Sequence, residues 1–209
     1  MGTDGETRKK LLDSAKKEFM EKGYLKASLR KICADAGVTT GAMYFFFKDK
    51  EDLFGAIVEE PLQMLMQLLL SHFSEESEFG HAADYVHEDG DHDALAVALV
   101  HHLYSHYEEF LLVLTKSQGT CYENCVDRIV DITEKNYLKI AEAIAAMQPG
   151  MIVNRYMTHW LTHMHIDAFV HLLTHEPDES NAQRQMKRMM EFFVTGFMNM
   201  ALIPENEIQ

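Results

Sequence analysis

Apolar residues recur at spacings of three and four along nearly the whole chain, the period of an α-helix, and strand-like alternation is absent. Leu11, Leu12, Ala15 and Phe19 form the core stripe of a first helix over about residues 7–22, which Gly23 ends. Leu29, Ile32, Cys33 and Ala36 fall at i, i+3, i+4 and i+7 of a second, short helix. Ser28 stands where its hydroxyl accepts a hydrogen bond from an orphan amide, and Gly37 supplies a left-handed stop. Thr39 caps a third helix, with Val38, Ala42, Met43, Phe46 and Phe47 on its buried side. A fourth helix is predicted from Lys50 to about Phe73, kinked where Pro61 removes a backbone hydrogen bond. Further helices are expected over about 94–115, 122–147, 152–175 and 180–202, the last two joined by a short turn and packed antiparallel.

The second and third helices, separated by a glycine turn, have the geometry of a helix-turn-helix, in which the second helix enters a DNA major groove. Thr39, Thr40, Gly41, Tyr44 and Phe45 face outward from it. Gly41 inside a helix costs about 1 kcal/mol relative to alanine, which points to close approach by another molecule. Lys48 and Lys50 flank Asp49 at the start of the next helix, where the dipole gives cations nothing but a phosphate would meet them.

The net charge of −14 opposes DNA binding only until it is divided. Residues 1–55 carry a balance of +2 and residues 56–209 a balance of −16, so the basic groups gather where phosphates would be met. No run approaches the ~18 apolar residues of a membrane span, and the N-terminus lacks the basic-then-apolar pattern of a signal peptide. Three cysteines suit a reducing compartment, so a cytoplasmic protein without a membrane partner is expected. An enzyme is not expected. There is no Gly-rich phosphate loop and no Gly-x-Ser-x-Gly elbow, and the stretch His159-Trp160-Leu161-Thr162-His163 lacks the glutamate of a zinc protease helix.

The first 60 residues resemble the DNA-binding domain of the TetR family of bacterial transcriptional repressors. The likeness runs from Thr7-Arg8-Lys9-Lys10-Leu11-Leu12 through Phe19, Glu21-Lys22-Gly23-Tyr24 and Ala27-Ser28-Leu29-Arg30. It ends at Ala36-Gly37-Val38-Thr39 and Gly41-Ala42-Met43-Tyr44-Phe45-Phe46-Phe47-Lys48-Asp49-Lys50-Glu51-Asp52-Leu53. The resemblance implies an all-α protein, with a three-helix helix-turn-helix domain over 1–50 and a larger helical-bundle domain over 51–209 for effector binding and dimerisation. By motif position, Ser28, Arg30 and Tyr44 would contact phosphate, Thr39, Thr40, Gly41 and Phe45 would lie against base edges, and Lys48 and Lys50 would hold the DNA backbone. The implied partners are a palindromic double-stranded operator, a second copy of the chain and a small-molecule effector that releases the repressor. A dimer face is expected on the last helix at Met186, Met189, Met190, Phe193 and Phe197. A non-DNA-binding interaction adaptor is the remote alternative.

No cofactor is required by this reading, and the effector is unknown. An organic effector would meet apolar and polarisable residues of the central helices, among them Met66, Leu69, Leu103, His106, Tyr107, Phe110, Trp160 and His163. A metal- or haem-sensing repressor is the alternative. His159, His163, Asp167, His171 and His175 step by four along one helix, and of these His159, His163 and Asp167 are the candidate metal ligands. His102 with His106 and Cys121 with Cys125 repeat the spacing. The acidic stretch 74–93 reads as a solvated loop, with Asp89, Asp91 and Asp93 as a weak cation motif.

Overall fold

A computed structural model of the chain describes residues 2–78 and 91–207. The chain divides into two compact units, one of residues 1–64 with 106–125, the other of 65–105 with 126–209.

In the first unit, α1 (Gly2–Lys26) is bent at Gly23, whose backbone (φ 74°, ψ 159°) only glycine adopts readily. Helix α2 (Leu29–Asp35) begins at Ser28, whose hydroxyl accepts from the Lys31 amide. Helix α3 (Thr40–Phe46) begins at Thr39, whose hydroxyl accepts from the Ala42 amide at 3.1 Å. Between them Gly37, at φ 71°, makes the predicted left-handed turn. Leu11, Ala15, Phe19, Ile32, Met43, Leu53 and Phe54 are fully buried. Phe19 and Phe54 meet edge to face at 5.1 Å, a geometry aromatic pairs favour.

Helix α4 (Lys50–Glu78) continues through Pro61, and the boundary between the units falls within it. By length and composition its Lys50–Ser71 segment would also suit a membrane span. Yet Phe54, Val58, Leu65 and Leu69 are buried within the protein, as in an ordinary core helix.

The helix expected over 94–115 is two helices. Helix α5 (Asp91–Ser105) belongs to the second unit and α6 (Tyr107–Lys116) to the first, with His106 between them outside helical geometry (φ −124°, ψ 39°). In the first unit α6 packs along α1, and Lys16 pairs with Glu108 at 2.5 Å and Glu109 at 2.8 Å. Burial would lower the Lys16 pKa, but these two carboxylates outweigh it and hold the ammonium above its ordinary value.

The second unit contains α7 (Cys125–Ala146) from Val126 onward, α8 (Arg155–His175) and α9 (Glu179–Met200). Helices α8 and α9 pack against each other, as their short connection predicted. The strands are a departure from the purely helical expectation. β1 (Met151–Val153) pairs antiparallel with β2 (Leu202–Pro204), Ile152 opposite Ile203. Three residues are too few to display a period of two. The acidic stretch, and with it Asp89, lies largely outside the described residues; of its cation motif, Asp91 and Asp93 fall in the first turn of α5.

Candidate nucleic-acid interface and effector cavity

The face of α3 opposite Met43 is solvent-exposed. Thr39, Thr40 and Gly41 are exposed, as are the large rings of Tyr44 (54%) and Phe45 (78%). Phe45 is steadied by an edge-to-face contact with Phe46 at 5.1 Å. A Cβ added at Gly41 would meet only Thr39 Oγ1, at 3.8 Å, so nothing inside the protein demands glycine there. Ser28, Arg30 and Lys48 are exposed as well.

Glu18, on α1, is buried. Its Oε1 accepts from the Ser28 amide at 3.2 Å, and its Oε2 lies 3.7 Å from Lys31 Nζ. A carboxylate at the start of α2 also suits the helix dipole. Sequence reasoning missed Glu18, which sits among ordinary charged positions of α1.

Lys50 departs from its expected role. Its ammonium donates to the Ala27 carbonyl at 3.0 Å and the Leu25 carbonyl at 3.4 Å, and lies 4.6 Å above the Tyr24 ring. Burial holds its pKa below the ordinary lysine value. It secures the end of α1 rather than standing free for phosphate, because tertiary packing brings carbonyls within its reach.

In the second unit a cavity of about 60 Å³ lies among α4, α5, α7, α8 and α9. Of the expected effector residues only Leu69 lines it. Met66 is half-buried and Leu103 is buried elsewhere, Trp160 is exposed, and His163 is half-buried outside the lining. His106, Tyr107 and Phe110 belong to the other unit. The polar groups of the lining are Thr133, Tyr137 and His165, none of them anticipated. Tyr137 Oη lies 2.6 Å from His165 Nδ1, while His165 Nε2 lies 3.0 Å from Met190 Sδ. Although His165 as a residue is only half-buried, its ring is enclosed, stacked on Phe193 at 4.1 Å, and desolvation pushes its pKa down to about 4. The available signal was its position off the histidine ridge, between Met164 and Ile166.

On that ridge, His159 and His163 meet at 4.6 Å and His171 stacks on His175 at 4.2 Å. His159 pairs with Glu134 at 2.8 Å. Among the described residues no three His, Cys, Asp or Glu side chains gather as metal ligands, so His159, His163 and Asp167 are not assembled into a site.

The expected dimer residues are also placed differently. Met186, Phe193 and Phe197 are buried in the core of their own unit, and Met189 and Met190 are partly buried. The amphipathic stripe of α9 reports burial but does not distinguish core from interface. The exposed apolar residues of the last helices are instead Tyr156 and Trp160 on α8, and Phe192 and Met200 on α9.

Residues 11–57 match the family model described as "Bacterial regulatory proteins, tetR family". Over 54 residues (26% of this chain, 25% of the relative) the sequence is 50% identical to the HTH-type transcriptional regulator AcrR of Shigella flexneri. Over 53 residues (25% of each) it is 45% identical to the HTH-type transcriptional repressor BepR of Brucella suis biovar 1 (strain 1330). The chain thus spans about a quarter of the length of these curated relatives. A solved transcriptional regulator of Aquifex aeolicus VF5, titled as of the TerR/AcrR family, superposes with a TM-score of 0.58 at 18% identity, covering 89% of this chain and 98% of that one. That likeness shows the all-α fold of a helix-turn-helix domain followed by a helical bundle.

Proposed function

We propose that this chain, which belongs to the TetR family, is a transcriptional repressor. It binds a palindromic operator as a homodimer and is released when a small organic effector enters the second unit. The reading rests above all on α3, which leaves two aromatic rings and a threonine-glycine start in solvent. Burying a Tyr or Phe ring stabilises a fold by roughly 1.5–3 kcal/mol, so leaving both out is explained by a partner surface. Thr39, Thr40 and Gly41 bring the backbone to base edges, Phe45 suits a thymine methyl group, and Ser28, Arg30, Tyr44 and Lys48 meet phosphate. The repressor names of relatives such as BepR support the direction of control.

The homodimer is supported by the exposed apolar residues of α8 and α9, which a second copy would cover across a two-fold axis. Two copies of α3 would then meet successive major grooves about 34 Å apart. Residence in the cytoplasm, beside the chromosome, follows from the same role.

The test is fluorescence anisotropy against operators selected from a random duplex pool, at several salt concentrations. Affinity should fall steeply with salt, and Tyr44→Ala with Arg30→Ala should weaken binding roughly 10- to 100-fold while leaving the circular dichroism unchanged. Unaltered affinity in that double variant would remove α3 and its flank from the interface. In sedimentation, Phe192→Asp should yield monomers; a persisting dimer would place the interface elsewhere.

A further inference from the structure

The cavity of the second unit is selective in what it would tolerate. Leu69, Leu99, Ile140, Phe169, Phe193 and Phe197 make most of its wall, and among the described residues no Lys, Arg, Asp or Glu side chain lines it. An ionised guest would lose its water there without gaining a counter-charge. The one basic lining group among the described residues, His165, is neutral near pH 7 and already engaged with Tyr137 and Met190.

Thr133 is different from every neighbour. It lies one helical turn before Tyr137 on the same face of α7, is only 2% exposed, and its Oγ1 makes no hydrogen bond. Helical hydroxyls elsewhere resolve this locally. Those of Thr115, Thr158, Thr162 and Thr195 donate to the carbonyl four residues back at 2.7–3.0 Å. Thr133 forgoes that bond while lining the cavity, and a buried hydroxyl left unmade destabilises the fold. Its hydrogen-bonding capacity is therefore held for something the cavity receives.

We propose that the cavity binds an uncharged aromatic ring bearing a single hydroxyl group, a phenol, with the phenolic oxygen hydrogen-bonded to Thr133 Oγ1. The rings of Tyr137, Phe169, Phe193 and Phe197 offer faces and edges for the guest's ring. A volume of about 60 Å³ is below the ~150 Å³ that holds a benzene ring, so Met190 and Met198 must re-pack to admit it. The assignment rests on the effector-release reading above and gives its effector a chemical class.

The experiment titrates the full chain with p-cresol, with p-xylene, in which a methyl replaces the hydroxyl, and with 4-methylbenzoate. Dissociation constants come from NMR, and operator binding is followed in parallel. In the unaltered protein p-cresol should bind about tenfold tighter than p-xylene, with 4-methylbenzoate weaker than both. Thr133→Val should bring the two neutral ligands within about twofold of each other and raise the melting temperature of the unliganded protein. Thr133→Ser should keep the preference.

Equal or tighter binding of p-xylene, a preference retained in Thr133→Val, or tighter binding of the carboxylate would each overturn the proposal. Specific operator binding without any response to p-cresol binding would uphold the cavity assignment and remove the release mechanism. Operator release by other compounds, with no p-cresol binding, would overturn the cavity assignment alone.

Discussion

Among the described residues each unit buries one side-chain oxygen without a hydrogen bond: Glu18 Oε2 in the first, Thr133 Oγ1 in the second. Glu18 nonetheless has an internal task. Its other oxygen holds the Ser28 amide at the start of α2, and Lys31 stands 3.7 Å from the unpaired one. Thr133 has no such arrangement and lines a cavity. The difference separates a unit whose unpaired oxygen sits beside a lysine and a helix start from a unit whose unpaired oxygen faces a cavity.

The comparison is broken most sharply at the aromatic core. Phe19→Ala should cost about 3–5 kcal/mol in urea denaturation. Hydrogen exchange should then show protection lost first in residues 2–64 and 106–125. An even loss across the chain would mean that the two units are one cooperative body. Next in size is Glu18→Ala, which removes the carboxylate under α2 and should cost roughly 1–3 kcal/mol, whereas Thr133→Val should stabilise. Opposite signs at these two positions are the core of the contrast, and like signs would erase it.

A pH series sharpens the second unit. His165 is depressed from 6.5 to about 4 by desolvation, so the unfolded chain binds a proton that the folded one refuses between those values. Its contribution is complete above pH 6.5 and is lost as pH falls toward 4, at up to about 1.4 kcal/mol per pH unit. Equilibrium unfolding of His165→Gln beside the unaltered protein should show a shallower decline in that window. The smallest effect belongs to Lys50. Lys50→Ala should lower stability by about 1 kcal/mol and leave the salt slope of operator binding unchanged, while Lys48→Ala should reduce that slope by about one.

The local parts of this molecule were legible in its residues. Ser28, Gly37 and Thr39 announced α2, the turn and α3 because a cap or a left-handed glycine acts within a few positions of itself. The outward face of α3 followed from the same periodicity. Features that depend on distant partners were not legible. Lys50 looks like a phosphate ligand until Leu25 and Ala27 arrive beneath it. The stripe of Met186, Phe193 and Phe197 reads equally as a dimer seam and as the core it forms. The cavity joins Leu69, Thr133, Tyr137 and His165 from three separate helices, and no spacing along one helix foretells that meeting. His106 interrupts its helix with no proline or glycine to signal it.

Because residues 106–125 return to α1, the first unit is not a continuous cassette. Grafting the first 57 or 64 residues onto a foreign regulator would strand Lys16 without Glu108 and Glu109, and Phe54 without the Tyr122 ring 6.0 Å away. Recombination that preserves this protein's folding has to carry two separate stretches of gene together, because the first unit is built from both.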